Sequence, residues 1–165
     1  MAWYETQIIG VAVGGVLGIG ANILLSYLKD NKLKKSLLAG LRSEIKFLRH
    51  VADRGAKDFE RYKNEIEKLG KVQTIYAYTG DFEFHFLDKN LDKVGILDEA
   101  FLTPLIALRQ TSIALGTGLK TTIETGYKAQ NNNELIGIFI SQLTQAIATF
   151  TRVQELCDEV LSIRS

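Results

Sequence analysis

The chain has 165 residues, of which 46% are hydrophobic and 24% charged, and its formal net charge is +1. That composition excludes wholesale disorder and leaves room for one domain plus an appendage. The single cysteine, Cys157, excludes an intramolecular disulfide and a cysteine-based zinc site and permits a reducing compartment. The single proline, Pro104, fits long helices, since proline removes a backbone donor and clashes with the preceding turn.

The first predicted element is the run "IIGVAVGGVLGIGANILL", residues 8–25, which carries no charge and five glycines. From Gln7 to Leu28 is about 22 residues, enough at roughly 1.5 Å rise per residue to cross a hydrocarbon core of about 30 Å. Trp3, Tyr4 and Tyr27 stand at its two ends, where amphipathic rings favour the interface. The leader before it has no Lys or Arg, whereas Lys29, Lys32, Lys34 and Lys35 follow it. The positive-inside rule then predicts a single-pass protein of the inner (plasma) membrane, with its N-terminus outside and its remainder in the cytoplasm. A positive leader of the kind that precedes a cleaved signal peptide is missing.

Within this run Gly10, Gly14 and Gly18 recur at four-residue spacing, with Asn22 on the same broad helix face. Small residues at that spacing let backbones approach, and asparagine can hydrogen-bond across helices, so the face predicts self-association as well as anchoring. The basic collar continues into a charged block. Residues 29–71 hold 13 Lys or Arg against 7 Asp or Glu. Such a block beside a membrane attracts anionic lipid, although most of it serves equally as a solvated helix face.

Residues 33–69 repeat Leu33, Leu37, Leu41, Ile45, Leu48, Ala52, Gly55, Phe59, Tyr62, Ile66 and Leu69, a spacing that predicts one long helix packed on another. Gly55 next to Ala56 predicts a weak point or bend, and Gly70 a C-terminal cap. Residues 72–97 are dense in aromatics. Here "TIYAY" reads as a loop or an isolated short strand, followed by a short helix over about 81–93 and inward packing of Val94, Ile96 and Leu97. Asp98 is expected to cap a helix running to about Leu115, or to Thr125 if its glycines allow. "GYKAQNNN" reads as a polar loop, with Asn132 or Asn133 capping a last helix over about 134–162. That helix repeats Ile136, Ile140, Leu143, Ile147, Phe150, Val153, Cys157 and Val160. Its stretch "LIGIFISQLTQAIATF" is interrupted by Gln142, Thr144 and Gln145 and is short for spanning, so a core helix is expected there. The predicted fold is all-α: a single N-terminal transmembrane helix over 1–31, then an antiparallel cytoplasmic helical bundle over 32–165.

Chemistry-bearing residues are few. His85, Asp88 and Asp92 share one face if they are helical, but a lone histidine with two lysine-flanked aspartates reads as a solvated face, and no metal is assigned. Cys157 lies on an apolar stripe and reads as a small buried hydrophobe. No nucleophile-elbow or metalloprotease motif is present; neither an enzyme nor a cofactor is expected. The most suggestive polar stretch is "LGTGLKTTIETGYK", residues 115–128. It departs from a phosphate loop, because Leu119 separates Gly118 from Lys120 and no hydrophobic strand precedes it. A weaker reading survives, in which exposed glycine amides with Thr117, Lys120, Thr121 and Thr122 bind an anion, aided by Arg109 and Lys128. A helix rich in small residues and packed on a neighbour fits the same stretch. Tyr127 and the aromatics between 76 and 86 are candidate platforms for a base.

With its glycine-rich span "GVAVGGVLGIGAN", its collar "KDNKLKK" and its helical remainder, the chain resembles the small membrane effectors of bacterial antiviral systems, in particular those of type III CRISPR loci switched on by cyclic oligoadenylates. The resemblance covers the full length and is one of layout, so it carries over no ligand contacts. It implies a homo-oligomeric effector whose cytoplasmic domain senses a cyclic oligonucleotide and acts on the membrane. Its expected partners are lipid, further copies of itself and that ligand, not duplex nucleic acid. The residues alone leave a second class open, a membrane-tethered interaction module or phage exclusion protein without a small ligand.

Overall fold

A computed structural model describes residues 2–73, 82 and 84–163, with side chains from Leu25 onward. The described residues are mostly helical, with no strand among them. Four α-helices follow in order: α1 (Ala2–Leu69), α2 (His85–Lys89), α3 (Glu99–Ala129) and α4 (Ile136–Ser162), with 3₁₀ turns at Val94–Ile96 and Asn133–Leu135. The chain divides into two compact units, Met1–Ala39 and Gly40–Ser165, so the division falls inside α1. "TIYAY" lies outside the described residues, as do the side chains of Gly10, Gly14, Gly18 and Asn22.

In the larger unit, α4 is the central helix. Its stripe Phe139, Leu143, Ala146, Phe150, Val153, Cys157 and Val160 is buried at alternating spacings of four and three, as a helix packed on others requires. Against α1 the register is antiparallel. The Arg42 guanidinium donates to the Ile163 carbonyl at 2.9 Å, Arg49 pairs with Asp158, Gly55 seats the Phe150 ring, and Tyr62 meets Phe139 edge-on at 5.9 Å between ring centroids. Helix α3 packs along α4, with Gly126 under the Phe139 ring. It too runs opposite to α4, so α1 and α3 run the same way and the bundle is antiparallel only through α4.

The connection from α1 to α3 is fixed by local chemistry. Gly70 takes φ +64°, and its amide donates to the Ile66 carbonyl at 2.8 Å, which ends α1 as its sequence predicts. Helix α2 docks back on α1. The Glu44 carboxylate accepts from the amides of Phe86 at 2.6 Å and Leu87 at 3.1 Å, while the Phe86 ring lies over Gly40. Those amides have no partner within so short a helix, and a carboxylate from another helix satisfies them. Asp98 holds the N-cap position of α3, its carbonyl accepting from Phe101 and Leu102. The Asn132 side chain accepts from the Glu134 amide at 3.0 Å and so caps the turn into α4.

Several expectations need correction. Gly55 does not interrupt α1, and the glycine leaves room for a phenyl ring. The short helix expected over 81–93 contracts to His85–Lys89. Of the three residues expected to turn inward beside Gly95, only Leu97 is buried; Ile96 is exposed and Val94 half-exposed. Helix α3 passes Leu115 and Thr125 and continues to Ala129, which shortens the polar loop to 130–132. In α4 the centre of the buried face is Phe139 and Ala146, with Ile136, Ile140 and Ile147 on its shoulders. Leu69 is exposed, whereas Ile66 in the same turn is buried.

Among the described residues one buried hydroxyl is unsatisfied. Ser112 on α3 is fully buried, and its hydroxyl has no hydrogen-bond partner. Leaving a buried hydroxyl unpaired costs about 1–3 kcal/mol, and alanine is also the better helix former. Ser112→Ala is therefore expected to stabilise the chain by about 1 kcal/mol in urea denaturation; a loss of stability would show that the hydroxyl is satisfied in solution.

Candidate functional site

Residues 115–128 are not a loop. They lie inside α3, where the amides of Gly116 and Gly118 belong to the helical ladder and form no anion cradle. The threonines also bond within the helix. Thr117 donates to the Ile113 carbonyl at 3.1 Å, Thr121 to Thr117 at 3.5 Å, Thr122 to Gly118 at 2.9 Å and Thr125 to Thr121 at 3.0 Å. Hydroxyls bonded to the carbonyl four residues back leave their methyl groups as the outward surface.

Five of the six expected ligand residues, Arg109, Thr117, Lys120, Thr121 and Lys128, fall within an arc of roughly 120° on α3, at 100° per residue. They are spread along about 28 Å of helix and converge on no point. Thr122 is separate, buried at the α4 side. The Arg109 guanidinium is engaged by Asp88 of α2, with nitrogen–oxygen distances of 3.0 and 3.2 Å. Lys120 and Lys128 are exposed.

Two concave features involve these residues. At the end of α3, Tyr127, Lys128, Asn131 and Asn132 border a shallow depression, with Glu124 and Leu135 completing it. Tyr127 is exposed there, as a base platform must be. Tyr76 and Tyr78 lie outside the described residues, whereas Phe82 and Phe84 are core and Phe86 is spent on Gly40. Phe82, Phe84 and Phe86 thus supply packing and not a stacking surface.

The second feature is a groove of about 290 Å³ between α3 and α4. Leu115, Gly118, Leu119 and Ala146 give it an apolar, small-residue lining, and Thr121, Thr122, Gln142, Gln145 and Thr149 add neutral polar groups. No charged side chain lines it. The Gln142 Oε1 is buried and has no hydrogen-bond partner. This groove was only half visible in the sequence. Its signal is the absence of charge from Leu135 to Thr151 and from Gln110 to Leu119, together with the glutamines that interrupt the former run.

The remaining candidates resolve simply. Helix α2 ends before Asp92, Asp88 faces Arg109, and the described residues include no group of His, Cys, Asp and Glu arranged to hold a metal. Cys157 is fully buried, and burial pushes its thiol up to about 12, with neighbouring Asp158 adding to the shift. The folded chain therefore holds this proton more tightly than the unfolded chain, whose thiol titrates near 8.5. That contribution to stability is lost as pH rises from about 8.5 towards 12. At neutral pH a maleimide is expected to label Cys157 only as the protein unfolds; rapid labelling of the native chain would overturn its burial.

At the other end, Leu25, Tyr27 and Leu28 are exposed, and the collar Lys29, Lys32 and Lys35 follows, also exposed. Among the described residues no helix is long and apolar enough to cross a membrane. The run 8–24 lies outside that test, because its side chains are not described. No protein-family model, no curated protein and no solved structure matches this chain.

Proposed function

We propose that the chain is a membrane-tethered helical interaction module that acts as a homo-oligomer. The observation that carries this reading is that α1 holds both the apolar run and the first core stripe of the bundle, with no loop between them. The run 8–25 anchors the chain, Tyr27 sits at the interface, and the lysine collar keeps the larger unit on the cytoplasmic side of the inner membrane. Gly10, Gly14, Gly18 and Asn22 form the association face within the membrane. The uncharged groove between α3 and α4 suits a macromolecular partner better than an anion, and the reading needs no catalytic group.

The test is extraction of the full chain from cell membranes. Retention in the pellet at alkaline carbonate, with the C-terminus protected from protease in intact cells and cleaved in inverted vesicles, is expected. Release by carbonate would remove the anchor.

Tyr127 beside Lys128 and Asn131 favours a second reading, the cyclic-oligonucleotide-activated effector that the layout resembles. There the base stacks on Tyr127, and Lys128 and Lys120 meet phosphates. Calorimetry of the detergent-solubilised chain against cyclic oligoadenylates separates the two readings. Binding weakened about tenfold or more by Lys128→Ala supports the effector, since a charged hydrogen bond is worth about 1.5–3 kcal/mol. Absence of binding leaves the interaction module.

A further inference from the structure

Helix α1 buries one face in the bundle and turns the opposite one to solvent. Ile45, Leu48, Ala52, Phe59, Tyr62 and Ile66 define the inner face. At 100° per residue, the arc of roughly 80° directly opposite holds Lys46, His50, Arg54, Lys57, Arg61, Asn64 and Lys68, spaced by three and four residues throughout. All seven are exposed, and five are Lys or Arg. No Asp or Glu between residues 46 and 68 falls within the arc; Asp53 and Glu60 flank it on one side, Asp58 and Glu65 on the other. The stripe lies wholly in the larger unit and is about 33 Å long.

Nothing inside the chain requires this stripe. Like charges three and four residues apart weaken a helix instead of supporting it. Lys57 pairs with Asp53 at 2.8 Å and Arg61 with Asp58 at 3.4 Å, but these are surface pairs, which hold a cation only weakly. Lys46, Arg54 and Lys68 have no ion pair among the described residues. Phe47 borders the stripe one turn before His50, and its ring is 59% exposed. A shallow depression follows the second half of the stripe, between Lys57, Arg61, Asn64 and Lys68.

We infer that this stripe binds a single strand of nucleic acid laid along α1, its cations meeting backbone phosphates and the Phe47 and His50 rings stacking on bases. Charge complementarity requires an anionic partner, and a straight row of cations requires an extended one. The stripe has no apolar position of its own, so a partner helix would find no seam to pack on. The flanking carboxylates admit only a narrow partner. A flat anionic bilayer would press against them, as would the broader surface of a duplex, and one exposed phenyl ring is far less apolar area than an interfacial helix buries. Stacking accepts any base, so recognition is of the strand and not of a sequence.

The experiment uses the full chain in non-ionic detergent, with labelled oligouridylate and oligothymidylate of about 16 nucleotides as probes. Each phosphate contact to a single strand adds about −0.7 to the slope of log affinity against log salt, so the three unpaired and two weakly paired cations predict a slope of about −2 to −3.5. Arg54→Ala is expected to reduce that slope by about 0.7. Arg54→Glu combined with Arg61→Glu is expected to weaken binding about tenfold or more at low salt. Phe47→Ala is expected to weaken it about fivefold to a hundredfold and leave the slope unchanged, because stacking releases no counterion. Arg152→Ala, at an exposed arginine of α4, is expected to change neither. Every substituted residue is exposed, and protection of Cys157 from maleimide verifies that each variant folds.

The inference goes beyond the membrane-module reading and takes nothing from its tether or its self-association. Absence of binding at low salt would overturn it, as would binding that the stripe variants or Phe47→Ala leave unchanged. So would a duplex of the same length bound more tightly than the strand, or polyglutamate bound as tightly, which would make the partner an acidic protein segment. Carbonate release of a chain that still binds the strand would remove the tether alone; a tethered chain that binds no strand would remove the nucleic-acid site alone.

Discussion

Truncating Phe150 to alanine is expected to destabilise the larger unit by about 3–5 kcal/mol, the range for losing a large buried aromatic. The ring is fully buried and sits where three parts of the chain meet. It meets Phe59 of α1 edge-on at 5.4 Å between centroids and Phe82 of the connection at 5.7 Å, and it rests on the backbone at Gly55. Aromatic pairs add about 0.5–1.5 kcal/mol each beyond buried area. Domains of this size are stable by only about 5–15 kcal/mol, so the loss is a large share of the total. Cys157 supplies the readout, because it is the one cysteine and is buried in the same helix. Maleimide labelling across a urea series follows unfolding of the full chain even in detergent. A midpoint shift equivalent to less than about 1 kcal/mol would show that Phe150 is not the hub of the bundle.

The helices that meet at this ring were legible in the sequence because they repeat every three or four residues. Leu41, Ile45, Leu48, Ala52, Phe59, Tyr62 and Ile66 are all buried as that spacing predicts. The ends were legible where side chains or a glycine carry a specific mechanism, as at Gly70 and Asn132. Periodicity did not say which of two adjacent stripes of α4 faces inward. Ile136, Ile140 and Ile147 compete with Phe139 and Ala146 for that role, and the choice is made by Tyr62 and Gly126, which together receive the Phe139 ring. Neither neighbour is close to Phe139 in sequence.

The stretch 115–128 admitted two readings, a weak anion site and a helix rich in small residues packed on a neighbour, and the helix is what forms. Glycine and threonine are poor helix formers, and a local reading gives them to a phosphate-binding turn. In the folded chain the buried positions Leu115, Leu119, Thr122 and Gly126 fall on one side of α3 against α4, and this tertiary packing outweighs propensity. The threonine hydroxyls then close onto their own helix. The groove was only half visible, because its walls, Ala114–Thr122 and Gln142–Thr149, are far apart in the chain and its defining property is a lack of charge.

Gly55→Ala is the sharpest single test of that packing. In an isolated helix the change is favourable by about 1 kcal/mol, since alanine is the better helix former. Here the new methyl would sit 2.4 and 2.6 Å from two carbons of the Phe150 ring. The ring cannot yield, being fully buried between Phe59 and Phe82. Overpacking of this kind costs about 1–3 kcal/mol and is expected to outweigh the helix gain. Gly40 makes the control. Its Cβ would come nearer still, 2.1 Å from the Phe86 ring, but Phe86 is only half-buried and can swing aside, so Gly40→Ala is expected to cost less. Combining Gly55→Ala with Phe150→Ala separates clash from propensity. Once the ring is gone, the alanine at position 55 has space and improves the helix, so its effect is expected to change sign. The double variant should then be more stable than Phe150→Ala alone, with a coupling of about 1–3 kcal/mol. Simple additivity of the two changes would mean that the ring and the glycine do not meet, and the register of α1 on α4 would have to be redrawn.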